Sequence, residues 1–359
     1  MKQVVPNYGR QSTLGLGCYL AHMLGVELDC VPIDLGFERV GLVLVDGFST
    51  NLAKILNLED RNIQTSFPSS TAPALVTLFT ASPPCVHGIV GERVWVKHLG
   101  GMVNTLRYSF APVRTLDELE DVKKERNLFI SLRPIISEAK RGVRVVLPSW
   151  LSESQFSSAL YGGADVLSCY NVWDCLEYFR ISIGKGVLTF LYLNEVDTLS
   201  HKYGPLSRPT LEAASHIVEN LRHISSQSSV PVLLTADHGF VEVERVNFLD
   251  QDTELKEVLE LPPFGEPRAL FLRSRVDLKT MLYHKYPDLQ LHDRTESEEM
   301  GLLGQCSSYS SLGFDYIGIP NGPVSYRYRL SEGDNTLFKG EHGGLTDEEL
   351  NVPLVTLRG

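Results

Sequence analysis

The chain has 359 residues, 43% of them hydrophobic, and a formal charge of −11. That length can bury a large core as one α/β domain with insertions, and the acidic balance argues against long nucleic acid, whose affinity rests on many Lys and Arg contacts to phosphate. No stretch reaches the roughly 18 apolar residues of a membrane span, and the opening MKQVVPNYGRQSTLGLG has no charged region leading into an apolar one, so a soluble, cytoplasmic protein with no membrane partner is expected. Cys18, Cys30, Cys85, Cys169, Cys175 and Cys306 are scattered without a CxxC pair, and they are expected as buried free thiols.

Along the chain, VGLVLV (Val40 to Val45) is continuously apolar and ends in Asp46-Gly47, the pattern of a buried parallel strand with a polar residue at its C-terminal end. Phe67 to Gly91 follows, where Ser69-Ser70-Thr71 can cap a helix beginning near Ala72, with Pro73 in its first turn. A hydroxyl there also faces backbone N–H groups and a positive dipole end, a setting that suits an attacked phosphate. Residues 92–185 mix short apolar runs with helical patterning. VLTFLYL (Val187 to Leu193) then leads into NEVDTLSH, whose Asp197 and His201 stand four apart, so a helical turn puts both on one face.

Between Pro209 and Ile224 the apolar spacing of Leu211, Ala214, Ile217, Val218 and Leu221 predicts a helix. The run VPVLLT (Val230 to Thr235) stops abruptly at ADHG. Neighbouring strand side chains point to opposite faces, so Asp237 and His238 aim at one object only if the backbone turns, and Gly239 permits that turn. The implied object is a metal ion. Residues 248–335 carry PPFGEP, a charged stretch and two segments, GFDYIGIPNG and VSYRYRL, that read as short antiparallel strands of an inserted cap. The last piece is KGEHGG, Lys339 to Gly344, where glycines around His342 allow a close backbone approach. Three strands thus deliver Asp residues to their C-terminal ends, the edge where open α/β sheets bind ligands.

These pieces in this order resemble the alkaline phosphatase superfamily, most closely its type I phosphodiesterase/nucleotide pyrophosphatase branch. The resemblance covers residues 40–91, 187–242 and 338–357. It implies an α/β fold with a central, mostly parallel sheet flanked by helices, one catalytic domain over 1–359, and a smaller antiparallel cap inserted at 248–335. It also implies two divalent ions. One is held by Asp197, His201 and His342, the other by Asp46, Asp237, His238 and the nucleophile Thr71. Carboxylate and imidazole without thiolate suit zinc first and manganese second. The chemistry implied is hydrolysis of a small phosphate ester, a phosphodiester above all, through a phospho-threonine intermediate. One departure stands out: the family carries Asn three residues after the nucleophile, where this chain has Ala74, and Asn194 is a conceivable substitute.

Rival readings fail at particular residues. Gly15-Leu16-Gly17 lacks the third glycine of a dinucleotide fingerprint, and neither GxSxG nor a Walker A loop occurs. Thr71-Ala72-Pro73-Ala74 does not fit a sulfatase element. A phosphomonoesterase, a phosphonate hydrolase or a phosphoglycerate mutase on the same scaffold remain alternatives, and a non-catalytic interaction protein is a remote one.

Overall fold

The computed structural model describes residues 1–58, 60–120, 132–331 and 337–357. Val40–Val45, Leu188–Leu193 and Val232–Thr235 form strands buried along their whole length. They have no polar face because both sides of the sheet are covered. Val40–Val45 lies between the other two, parallel to both, with Val43 opposite Leu191 on one side and Leu234 on the other. The seven-stranded sheet runs in the order Arg61–Gln64, Asn351–Leu357, Val232–Thr235, Val40–Val45, Leu188–Leu193, Val143–Pro148, Asp165–Cys169. Of these, Asn351–Leu357 alone runs opposite to the other six. The helix Arg208–Gln227 turns Ala214, Ile217, Val218, Leu221 and Ile224 onto the core, at the spacing the sequence shows. Since the three central strands are parallel, Asp46, Asp197 and Asp237 all leave the sheet at one edge.

A second sheet of seven strands is antiparallel at every pairing: Leu289–Asp293, Tyr316–Pro320, Ala269–Leu272, Phe264–Glu266, Arg93–Val96, Gly101–Asn104 and Ser109–Phe110. Antiparallel strands expected within 248–335 therefore share a sheet with residues 93–110, where the sequence showed only a mixture. Val324–Arg327, from VSYRYRL, departs from the antiparallel expectation and pairs in parallel with Arg245–Phe248. A smaller apolar cluster around Leu249, Leu255, Leu272, Leu282 and Tyr326 forms its own core in this part of the chain.

The cysteine expectation is corrected. Cys18 pairs with Cys30, Cys85 with Cys306 and Cys169 with Cys175, at Cα separations of 5.9, 6.3 and 5.2 Å, within the range a disulfide spans. Cys85 and Cys306 lie 221 residues apart, and sequence spacing does not reveal such connectivity. Among the described residues no helix is long and apolar enough to cross a membrane.

Candidate active site

Asp46 is the first residue beyond the strand Val40–Val45, held by its N–H to Leu193 O at 2.8 Å. Gly47 follows at φ +70°, where a β-carbon would stand 2.5 Å from the Phe240 ring and 3.1 Å from Asp197 Cα, so only glycine lets these chains converge. The Gly47 N–H donates to Asp237 Oδ1 at 3.1 Å, and the His238 N–H donates to the same oxygen at 3.0 Å. These bonds fold Asp237 back against its own turn and leave Oδ2 facing the site. Gly239 serves a different purpose from the one expected. It does not adopt a positive φ, but a β-carbon there would lie 1.9 Å from Glu348 O, and its N–H reaches Glu349 O at 2.9 Å. The residue is small because the chain near 349 crosses directly beneath it.

Asp197 and His201 lie on the helix Glu195–Tyr203, and His201 Nε2 stands 3.4 Å from Asp197 Oδ1. The imidazoles of His201, His238 and His342 share one arrangement: Nδ1 faces the backbone carbonyl of Gly340 at 2.9 Å, Gly239 at 3.1 Å and Ser69 at 3.1 Å, respectively. A carbonyl only accepts, so Nδ1 carries a proton and Nε2 is the atom turned to the site, as in imidazoles that bind metals. His238 and His342 stack with centroids 3.7 Å apart. His238 Nε2 is central: it lies 3.2 Å from Asp46 Oδ1, 3.8 Å from Asp237 Oδ2 and 4.0 Å from Asp197 Oδ1.

Two triplets each bring one ligand atom per residue within 4.8 Å of one another: Asp197, His238 and His342, and Asp46, Asp237 and His238. His201 stands beside the first through Asp197. Asp46 Oδ1, Asp197 Oδ1 and Asp237 Oδ2 are buried and have no hydrogen-bond partner among the described residues. Buried carboxylate oxygens without donors are costly, and a divalent cation satisfies them, so the donor set fits a metal. The protonation equilibria carry the same mark. Burial and the Asp197 carboxylate push Asp46 up to about 8, and burial with Asp46 raises Asp237 well above the carboxylate range. Burial lowers His201, but Asp197 outweighs it and holds the ring at about 9, while burial and the two neighbouring imidazoles keep His342 well below its ordinary value.

Thr71 opens the helix Thr71–Thr80, one residue earlier than expected. Its Oγ1 lies 3.4 Å from both Asp46 Oδ2 and His238 Nε2. Ser70 occupies the N-cap position without capping, because its hydroxyl donates instead to Glu266 Oε1 at 2.5 Å. Thus Asp46, Thr71, Asp197, His201, Asp237, His238 and His342 are brought together. Asn194, at the start of the Asp197 helix, is engaged with Thr198 at 3.4 Å, and Ala74 is buried inside the Thr71 helix.

Sequence reasoning missed Tyr192, whose hydroxyl donates to Asp46 Oδ2 by a short hydrogen bond. One signal was present: a tyrosine inside a fully buried strand needs a partner for its hydroxyl. Glu266 was also missed, since its carboxylate bonds reach residues 174 and 196 positions away.

Residues 42–301 match the model of the type I phosphodiesterase / nucleotide pyrophosphatase family. Among solved structures, murine ectonucleotide pyrophosphatase / phosphodiesterase 5, an inactive form in complex with AMP, is similar at a TM-score of 0.62 and 17% identity over 89% of this chain and 87% of that one. Its human counterpart aligns at 0.63 and 17%, over 88% and 87%. Phosphonoacetate hydrolase from Sinorhizobium meliloti, in complex with phosphonoacetate, aligns at 0.62 and 16%, over 89% and 90%. At such identities the structures speak for the fold, and the family match, which spans most of the chain, speaks for descent. The chain belongs to the type I phosphodiesterase / nucleotide pyrophosphatase family of the alkaline phosphatase superfamily, whose members are metal-dependent, and it is a hydrolase acting on phosphoester bonds.

Proposed function

We propose that the chain cleaves a small phosphodiester at a two-zinc site with Thr71 as nucleophile. The observation that carries this reading is the set of three buried carboxylate oxygens without hydrogen-bond partners among the described residues, facing imidazoles whose Nδ1 atoms are all engaged by carbonyls. Asp197, His201 and His342 would hold one ion; Asp46, Asp237 and His238 would hold the other, beside Thr71. Zinc at such a site lowers the pKa of a hydroxyl and neutralises charge building on the phosphoryl oxygens. Two divalent cations against three Asp leave about one positive charge, enough to admit an anion to an acidic protein.

Thr71 Oγ1 gives up its proton and attacks phosphorus in line, the bond to one alcohol breaks and that alcohol leaves protonated, and water then displaces the phosphate monoester, still carrying the other alcohol, from Thr71. The helix that begins at Thr71 aims its first-turn N–H groups toward the attacked group, which favours its negative charge.

Preference for a diester rests on scarcity of cations. A monoester dianion carries an additional charged oxygen, and enzymes built for it commonly supply a further cation to meet that oxygen. From Asn62 to Glu92 the chain has no Lys or Arg. Arg268 is fully buried and committed to Glu349, and the Arg107 guanidinium lies over the Trp150 ring at 5.3 Å. The deciding experiment is kcat/KM for matched aryl phosphate diester and monoester substrates under one metal condition. The diester is expected to be favoured; a monoester preference above about tenfold, or ~1.4 kcal/mol, overturns the assignment.

Residence belongs to this proposal too. Disulfides persist in oxidising compartments and in the interior of hyperthermophiles, so the cytoplasmic expectation is kept only for a cytoplasm that leaves thiols oxidised.

A further inference from the structure

The strands Phe264–Glu266 and Ala269–Leu272 pair antiparallel with Glu266 opposite Ala269, so Pro267 and Arg268 form the tip of a tight turn. Its two charged side chains are buried at 5% and 0% exposure, although the turn belongs to the second sheet. Glu266 Oε1 accepts from Ser70 Oγ at 2.5 Å and from the Glu92 N–H at 2.6 Å. Ser70 immediately precedes Thr71, and its diversion to Glu266 leaves the first-turn N–H groups of the Thr71 helix uncapped by that hydroxyl. Arg268 meets Glu349 through two parallel bonds, Nε to Oε1 at 2.6 Å and Nη2 to Oε2 at 3.0 Å. Its Nη1 donates to the carbonyls of Gly322 and Val324 at 3.0 and 2.6 Å.

Glu349 in turn shapes the arm that carries His342. Its Oε1 accepts from the Gly344 N–H at 2.8 Å, and its Oε2 from Thr346 Oγ1 at 2.8 Å. A β-carbon at Gly344 would lie 2.7 Å from Glu349 Oε2, and one at Gly343, φ +112°, 2.7 Å from Glu266 Cβ. The arm packs against both glutamate side chains with no room for a β-carbon. Arm and nucleophile loop are also stitched to each other, with Ser69 Oγ donating to Gly344 O at 2.8 Å and the Gly343 N–H to Ser69 Oγ at 3.2 Å. A buried ion pair is often no more stabilising than an apolar pair of the same volume. The bonds of this one are directional and end on the backbone that presents His342.

We propose that the turn Glu266–Pro267–Arg268 is a clamp that positions both halves of the active site, Glu266 setting the nucleophile loop through Ser70 and Arg268 setting the His342 arm through Glu349. Its catalytic consequence rests on the phosphodiesterase reading above. The test compares wild type with Arg268→Met/Glu349→Leu, Glu266→Ala and Glu266→Gln by zinc affinity in chelator competition, by kcat and KM on an aryl phosphodiester, by Tm, and by hydrogen exchange at the Gly343 and Gly344 amides of zinc-free protein. The double variant should bind zinc about 10–100-fold more weakly and lose about tenfold or more in kcat with KM within about threefold. Glu266→Ala should lose kcat likewise, and Glu266→Gln should recover most of it, because the amide oxygen still accepts from Ser70 and Glu92. A folded double variant with wild-type zinc affinity and kcat overturns the clamp, as does Glu266→Ala with wild-type kcat; if the double variant fails to fold, the two Glu266 variants decide. Should wild type bind no zinc and cleave no phosphoester, the functional reading falls, but the exchange measurement still judges the clamp: faster exchange of Gly343 and Gly344 in the double variant supports it, and unchanged exchange overturns it.

Discussion

Replacing Asp237 with Asn asks whether the acidic cluster is built for cations. Asp46 and Asp237 hold carboxylate oxygens within 4.8 Å of each other, and at an effective dielectric of ~20 two unit charges at that distance repel by about 3.5 kcal/mol. Proton uptake at Asp46 relieves part of this in metal-free protein. Asn keeps the oxygen that accepts from the Gly47 and His238 amides and puts a donor where Oδ2 has no hydrogen-bond partner among the described residues. Metal-stripped Asp237→Asn should therefore be more stable than stripped wild type by about 1–3 kcal/mol, a rise of about 1–4 °C in Tm. Zinc at ~1,000 times its Kd should stabilise wild type by about 4 kcal/mol and the variant far less, so the order reverses. Scanning calorimetry of stripped protein with and without zinc reads both effects. A lower Tm for the stripped variant, or an equal zinc-induced rise in both proteins, refutes the reasoning.

Thr71→Ala should abolish turnover while fold and zinc binding survive, and Thr71→Ser should retain part of the rate; wild-type rates in Thr71→Ala with loss in Ser70→Ala would move the nucleophile by one position. Cys306→Ser opens a loop of 221 residues and should cost up to about 5 kcal/mol on chain-entropy grounds, read as a drop in Tm; reductant, which opens all three bridges, should lower the wild-type Tm at least as far. Asp46, raised by burial and Asp197 to about 8, and His201, at about 9 because Asp197 outweighs burial, both bind protons more tightly folded than unfolded. The folded state is therefore favoured at low pH, and metal-free protein should lose stability as pH rises from about 5 to 9; a rise in stability over that window would contradict the arrangement.

The three central strands, Val40–Val45, Leu188–Leu193 and Val232–Thr235, were legible because they are buried on both faces and read as unbroken apolar runs, each closed by a polar turn. The candidate ligands were legible because Asp46, Asp237-His238 and His342 sit beside glycines that the crossing of chains requires. Strands at 93–110 were not, since they are short and close their sheet through Gly265 opposite Arg93, a pairing that local periodicity does not encode. Tyr192, Glu266 and the Arg268–Glu349 pair act on residues far away in sequence, and each would pass for an ordinary strand or loop residue where it stands. The disulfides were misread for the same reason: pairing is a property of the folded chain.

Metal content tests the central claim most directly. Elemental analysis of active protein, followed by chelation and zinc restoration, should find about two divalent ions per chain, zinc preferred, with turnover lost on removal and regained on return. Active protein that contains no metal, or turnover that survives complete chelation, would contradict the account.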